Sequence, residues 1–108
     1  MRAAAIPKRF LPHSCTLLTE TDSAHWGSTA IAETELNHVR IDRSDKTALM
    51  FYDCQNSTPL NVNFTVSGGN IKRLSVRAFD REYVIKKVDY LYAEDALHHL
   101  EITLESED

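Results

Sequence analysis

The stretch Ile71-Lys72-Arg73-Leu74-Ser75-Val76-Arg77-Ala78-Phe79-Asp80-Arg81-Glu82-Tyr83-Val84-Ile85-Lys86-Lys87-Val88 decides the fold. Leu74, Val76 and Ala78 alternate with Arg73, Ser75 and Arg77. That period of two makes one face of an extended segment apolar and the other polar. A helix would instead place its apolar residues three and four apart. Asp80-Arg81 reads as a tight polar turn, and residues 82–90 return as a second strand. Phe79 and Tyr83 flank the turn and are expected to meet across it as an aromatic pair.

The same signature recurs outward from this hairpin. In residues 97–104, Leu100, Ile102 and Leu104 alternate with Glu101, Thr103 and Glu105. Residues 13–19 carry Cys15 and Leu17 at alternate positions. Residues 30–41 hold Ile31, Leu36, Val39 and Ile41, and the phase slip between Ile31 and Leu36 predicts a bulge or bend there. Residues 46–54 contain Ala48-Leu49-Met50-Phe51-Tyr52, an unbroken apolar run bounded by charge, which fits a strand buried on both faces or a short helix, and the aromatic pair favours strand. Helix signal is confined to one short turn within residues 89–96. Gly27, Pro59 and Gly68-Gly69 mark turns, and residues 55–63 have the Asn, Ser, Thr and Pro content of a loop.

The expected fold is therefore all-β: a small closed or partly open β-barrel of about six antiparallel strands, with at most one short helical turn. Closure also protects strand edges. Leu36, Val39, Leu49, Phe51, Leu74, Val76, Val84, Val88, Leu100 and Ile102 are the predicted interior. Residues 1–12 read as a flexible arm, 13–105 as the barrel and 106–108 as a frayed acidic tail.

At 108 residues the chain is one domain. Its 43% hydrophobic and 26% charged content is that of an ordinary globular protein, which argues against disorder and coiled coil. No window approaches the ~18 consecutive apolar residues of a membrane span. The apolar run before Lys8 and Arg9 is too short for a secretory signal, so a cytoplasmic origin is expected. A net charge of -4 disfavours sequence-independent coating of DNA. Cys15 and Cys54 read as small half-buried hydrophobes, with a disulfide as the lesser alternative. No metal-seeding cysteine or histidine spacing is present, so neither metal nor cofactor is expected.

Catalytic signatures are lacking as well, and the chain reads as a non-enzyme. His98 and His99 are neighbours on a strand and should point to opposite faces. Asp53 before Gln55-Asn56-Ser57 has two readings, an active-site loop or a turn capped by its own carboxylate, and the capped turn is favoured. A hydrolase or metal enzyme built on His98, His99 and an aspartate lacks supporting spacing. Trp26, beside Gly27 on a hairpin tip, either folds back over the barrel or docks a partner; Ile6 and Phe10 are further docking candidates. Lys72, Arg73, Arg77, Arg81, Lys86 and Lys87 cluster around one hairpin with Phe79, Tyr83 and Tyr90 among them. That pattern would suit a nucleic-acid-binding barrel of the OB type, the alternative function.

An ordered set of phrases carries a resemblance. They are Ile6-Pro7-Lys8, Leu11-Pro12-His13, Trp26-Gly27, His38-Val39-Arg40-Ile41, Phe51-Tyr52-Asp53-Cys54-Gln55-Asn56-Ser57-Thr58-Pro59, Arg81-Glu82-Tyr83 and Leu97-His98-His99-Leu100-Glu101. In this order the chain resembles the minor capsid proteins of tailed phages and prophages of Gram-positive bacteria, over nearly its whole length. Relatives usually lead into the fourth strand with Gly-Asp, whereas Ser67-Gly68-Gly69-Asn70 here keeps the glycine and lacks the acid.

By analogy of size and fold, the resemblance implies a head-completion protein of the stopper type in the head-to-tail connector. Such a protein is a virion component assembled in the host cytoplasm. It forms a ring under the portal and adaptor, retains packaged DNA without binding it tightly and docks the tail. It would be monomeric until it meets that template, with its arm and loops ordering on contact. Two loops compete for the channel or partner role. One is Gln55-Asn56-Ser57-Thr58-Pro59, in a loop whose residues 55–63 are expected to tolerate shortening to a tight turn at little cost. The other is Asp42-Arg43-Ser44-Asp45-Lys46, which lies where stopper-like proteins carry their channel-closing loop.

Overall fold

Six strands form where alternation predicts them: β1 (His13–Asp22), β2 (Thr29–Arg43), β3 (Thr47–Asp53), β4 (Ile71–Ala78), β5 (Arg81–Ala93) and β6 (Ala96–Ser106). The computed structural model describes residues 4–22, 29–66 and 71–107. The strands close in the order β1-β2-β3-β6-β5-β4, every neighbouring pair antiparallel. The all-β barrel expected from the sequence is the fold of the protein.

Because neighbours alternate in direction, the connections sort to two ends. The β2–β3 and β4–β5 turns lie at one end, the base. The β1–β2 and β5–β6 hairpins lie at the other, the crown. At the base the barrel is fully paired. Toward the crown it splays: residues 29–36 of β2 pair only with β1, and β4 pairs with β5 only from Ser75↔Val84 to Ala78↔Arg81. Residues 54–66 fill the crown, with Val62 against the core and the buried Phe64 ring edge-on to Tyr52 at 5.0 Å.

Leu36, Val39, Leu74, Val76, Leu100 and Ile102 are interior as predicted. On β3 the predicted phase is inverted. Ala48, Met50 and Tyr52 are buried, while Leu49 and Phe51 are half-buried on the outer face. An unbroken apolar run carries no phase of its own; the neighbours set it. Met50 lies between Ile41 and Ile102, and Tyr52 between Val39 and Leu100, and paired residues share a face. On β5 the interior residue is Tyr83, 1% exposed and paired with Val76, not the predicted Val84. A bulge between Ile85 and Lys87 then moves the phase by one, which lets Ile85 and Val88 both pack on the core.

The bulge expected between Ile31 and Leu36 lies instead at His38. Pairing with β1 runs unbroken from Thr29 to Asn37, then skips His38, whose φ is 57°. This extra residue allows Leu36 and Val39, three apart, both to face inward. Ile31 is out of phase because it stands on the splayed ribbon, 60% exposed. The helical turn expected in 89–96 is absent: β5 and β6 pair up to Ala93↔Ala96 around Glu94-Asp95. Among the described residues, the one 3-10 turn is at Lys8–Phe10.

The β4–β5 turn is Phe79-Asp80, one residue earlier than predicted, with φ of 54° and 59°. Two positive φ values match the twist of a two-residue hairpin, but a bulky residue there costs of order 1–3 kcal/mol. The Phe79 ring offsets this by meeting His13 edge-on at 5.3 Å and lying 4.0 Å beneath the Arg43 guanidinium. With Tyr83 in the core, the expected Phe79–Tyr83 pair does not form. The acidic tail, expected to fray from Ser106, is held at its first two residues. The buried Ser106 donates its N–H to the Lys46 carbonyl at 2.7 Å, and the Glu107 carboxylate pairs with Arg73. The Gly68-Gly69 turn and the Trp26-Gly27 tip lie outside the described residues.

The inverted phase of β3 gives a direct check. Met50→Ala should lose about 2–5 kcal/mol in urea unfolding, and Leu49→Ala well under that. Equal losses would contradict the assigned faces.

Candidate functional site

β3 ends in Asp53, which is wholly buried. A buried carboxylate is tolerable only if donors surround it. Its Oδ2 accepts the backbone N–H groups of Gln55 at 3.0 Å and Asn56 at 2.8 Å, closing the capped turn that the sequence predicts. Its Oδ1 accepts the N–H of Ile6 at 3.0 Å. Asn56 Nδ2 completes the grip by donating to the Ile6 carbonyl at 2.8 Å. Asp53 also donates its own N–H to Ser57 Oγ at 2.8 Å, and the Ser57 hydroxyl donates to the His38 carbonyl. Asp53 thus joins the arm and the following loop through its carboxylate, and the β2 bulge through its backbone N–H and Ser57.

The arm makes further contacts around this point. Leu11 is buried, and Ile6, Phe10 and Leu11 line a crevice with Phe51 and His99 on the outer face of the barrel. Arg9 lies 4.8 Å over the Phe10 ring, which remains half-exposed. The apolar outer face of β3, which helps to explain the unbroken run in the sequence, is the floor of this crevice.

His98 and His99 do not point to opposite faces as expected. β6 is bulged there, since Leu91 pairs with His99 and Tyr92 with Leu97, leaving His98 as the extra residue. Bulges re-aim side chains, and this one brings the two Nδ1 atoms to 2.8 Å. His98 Nε2 lies 2.7 Å from the Ala4 carbonyl, a pure acceptor, so it donates. His99 Nε2 lies 3.0 Å from Glu101 Oε2. The chain Glu101–His99–His98–Ala4 is a further hold on the arm. Among the described residues, no group of three or more His, Cys, Asp and Glu side chains is placed to hold a metal ion.

The two loops singled out by sequence lie at opposite ends. Asp42, Arg43, Ser44, Asp45 and Lys46 are exposed at the base, tightened by Ser44 N–H donating to Thr47 O at 2.8 Å and by an Arg40–Asp42 ion pair at 3.0 Å. Gln55, Asn56, Ser57, Thr58 and Pro59 lie at the crown side. There Thr58 and Asn37 exchange backbone hydrogen bonds at 2.9 and 3.0 Å, and the Tyr52 hydroxyl donates to the Pro59 carbonyl. Gln55 and Thr58 are exposed, but Ser57 is buried and Val62 packs on the core, so the loop is anchored to the barrel by these two residues. That corrects the expectation that it can be cut to a tight turn at little cost.

The basic residues are not gathered into one open face. Lys72 pairs with Asp22 at 2.9 Å, and that carboxylate raises the lysine pKa. Arg73 pairs with Glu82 and Glu107, Arg77 with Glu33 at 2.8 Å and Lys87 with Asp89 at 3.5 Å. Arg81 Nη1 donates to the Asp45 carbonyl at 3.4 Å, and Lys86 is exposed. The three aromatics expected among them are dispersed: Phe79 at the base, Tyr83 inside and Tyr90 toward the crown.

Sequence reasoning found the Asx turn at Asp53 but missed the arm as its third partner. An Asx turn occupies one carboxylate oxygen, so a buried Asp implies a donor for the other; that donor lies 47 positions away. The histidine contact was hidden behind a bulge. Compared with known proteins, the chain matches no family model, no curated protein and no solved structure.

Asp53→Ala strands three backbone donors and should cost about 3 kcal/mol or more, with the Ile6 amide losing its protection in hydrogen exchange. Unchanged protection at Ile6 would contradict the grip. The Cys15 thiol, 3.8 Å from the Met50 sulfur, is pushed up to about 12 by burial, and Tyr52 likewise to about 12. Both folded values exceed the ordinary ones, so the unfolded chain sheds these protons first as pH rises. Stability should be level with respect to these groups below about pH 9 and fall progressively from about 9 to about 12. Cys15→Ala should flatten that fall in pH-dependent urea titrations.

Proposed function

We propose that this chain is a structural virion protein of a tailed phage, a head-to-tail connector subunit of the head-completion, stopper type. It acts as a ring under the portal and adaptor, where it helps to retain packaged DNA and offers a docking surface to the tail. One observation carries the reading. The phrases on which the resemblance rests are scattered along the sequence, yet four of the seven meet in space, while Arg81-Glu82-Tyr83 lies at the base and Trp26-Gly27 lies outside the described residues. Ile6, His38, Asp53, Asn56 and Ser57 share one hydrogen-bond network, and His98 and His99 extend it to Ala4. That these four phrases build one docked-arm unit is the observation that supports the resemblance.

Two further features support it. The barrel interior is filled by side chains, which moves recognition to the ends, the arm and the outer faces. The acidic chain with its counter-paired cations would let DNA phosphate pass without strong attraction. The rival, an OB-like nucleic-acid-binding barrel using residues 72–87, draws less support. It requires an open basic face with interleaved aromatics. Here most of the cations are paired with carboxylates and Tyr83 is buried.

Deleting the gene from a prophage that carries it should leave heads that package DNA but lose it and fail to join tails. A normal yield of infectious particles would contradict the proposal. Gel shifts on nonspecific DNA should show no tight binding at physiological salt; strong, salt-sensitive binding would favour the rival.

A further inference from the structure

Among the described residues, the splayed crown leaves strand edges without a neighbour, and the two longest are on β2 and β5. Residues 29–36 of β2 pair with β1 alone, and residues 87–93 of β5 pair with β6 alone. In the closed order β1-β2-β3-β6-β5-β4, β2 and β5 stand three steps apart in a ring of six, on opposite sides of the barrel. The two strands also run in opposite directions. Two copies side by side with the same end up would therefore bring β2 of one against β5 of the next as an antiparallel pair. An unpaired edge is a template for such pairing.

The side chains on these edges are complementary. Residues 29–36 carry Glu33 and Glu35 and no cation, while residues 85–93 carry Lys86 and Lys87 against Asp89. A single antiparallel register that sets Ile31 opposite Tyr90 also sets Thr29 opposite Tyr92, and it brings Glu35 to the bulge that carries Lys86. Ile31 is 60% exposed, Tyr90 48% and Tyr92 67%, among the most exposed large apolar groups of the described chain. One alignment thus brings acid to base and pairs aliphatic with aromatic, the combinations that stabilise neighbouring strands. The Arg77–Glu33 ion pair lies on the exposed surface and offers little resistance to rearrangement.

On the strength of the ring reading above, we infer that the occupant of each edge is a second copy of this chain: the 29–36 edge of β2 pairs with the 85–93 edge of β5 in the next subunit. The contact is head-to-tail, so its two surfaces differ and it propagates until the rotation closes a ring. Each contact uses one acidic edge and one basic edge, so every subunit in the ring has both edges satisfied.

The test is disulfide trapping, both with the purified protein and in virions. Ile31→Cys and Tyr90→Cys are combined in a Cys54→Ser background; the buried Cys15 stays protonated and unreactive. Oxidation of the double variant should give a ladder of covalent multimers, whereas each single variant stops at dimer. Glu35→Lys should reduce the ladder at least tenfold, and adding Lys86→Glu should restore it. Both sites are exposed, so circular dichroism of the variants should match the parent protein. If the double variant builds into virions but forms no ladder there, the edge pairing is wrong and the ring reading stands. If no copy of the parent protein is present in virions, the ring reading itself fails.

Discussion

The Asp53 carboxylate is the constraint on which the rest of the molecule depends. It is fully buried, and it accepts N–H groups from the arm and from the loop that follows β3. Burial of a charge forces the chain to supply donors, and the donors available are backbone groups that must be brought to it. That requirement fixes Ile6 against the barrel and bends residues 54–57 into a tight turn. Beside it, the Asp53 backbone N–H donates to Ser57, whose hydroxyl donates to the His38 carbonyl at the bulge that lets Leu36 and Val39 both face inward. Loss of this one group would release the arm and the loop after β3 at once.

The two ends of the barrel are built on different terms. At the base, pairing is complete and the connections are short, with Phe79 accepting an unfavourable backbone conformation because its ring is held by His13 and Arg43. At the crown, the strands part into two ribbons and the loop 54–66 fills the space between them. The base is closed by backbone hydrogen bonds and the crown by side chains. A subunit of this kind keeps its own fold through one end and has strand edges and exposed aromatics to offer at the other. That division suits the proposed role in a ring of like copies.

Much of this was legible in the sequence, and the misses share a cause. Strand positions followed from alternation in Leu74-Val76-Ala78 and Leu100-Ile102-Leu104, and the Asx turn from Asp53 and its polar followers. The errors at Leu49, Phe51, Val84 and the His98-His99 pair are all errors of face. Face is set by register with a neighbouring strand, and a single bulge reverses it. Bulges at His38, between Ile85 and Lys87, and at His98 leave no local mark in the sequence, because any residue can be the extra one. The arm's dock was invisible for a related reason: Ile6 and Asp53 are joined through a backbone N–H, which every residue but proline has. The helical turn expected in residues 89–96 yielded to strand pairing, as local propensity does when a hairpin partner is adjacent.

The central claim, that this barrel works as one of many copies at the head-to-tail interface, is tested most directly by imaging purified virions of a phage encoding it. Symmetry-averaged electron density at the neck should hold a closed ring of six-stranded barrels of this fold between head and tail, with like ends pointing the same way. Complete virions whose neck contains no such ring, together with absence of this protein from the particle by mass spectrometry, would contradict the account.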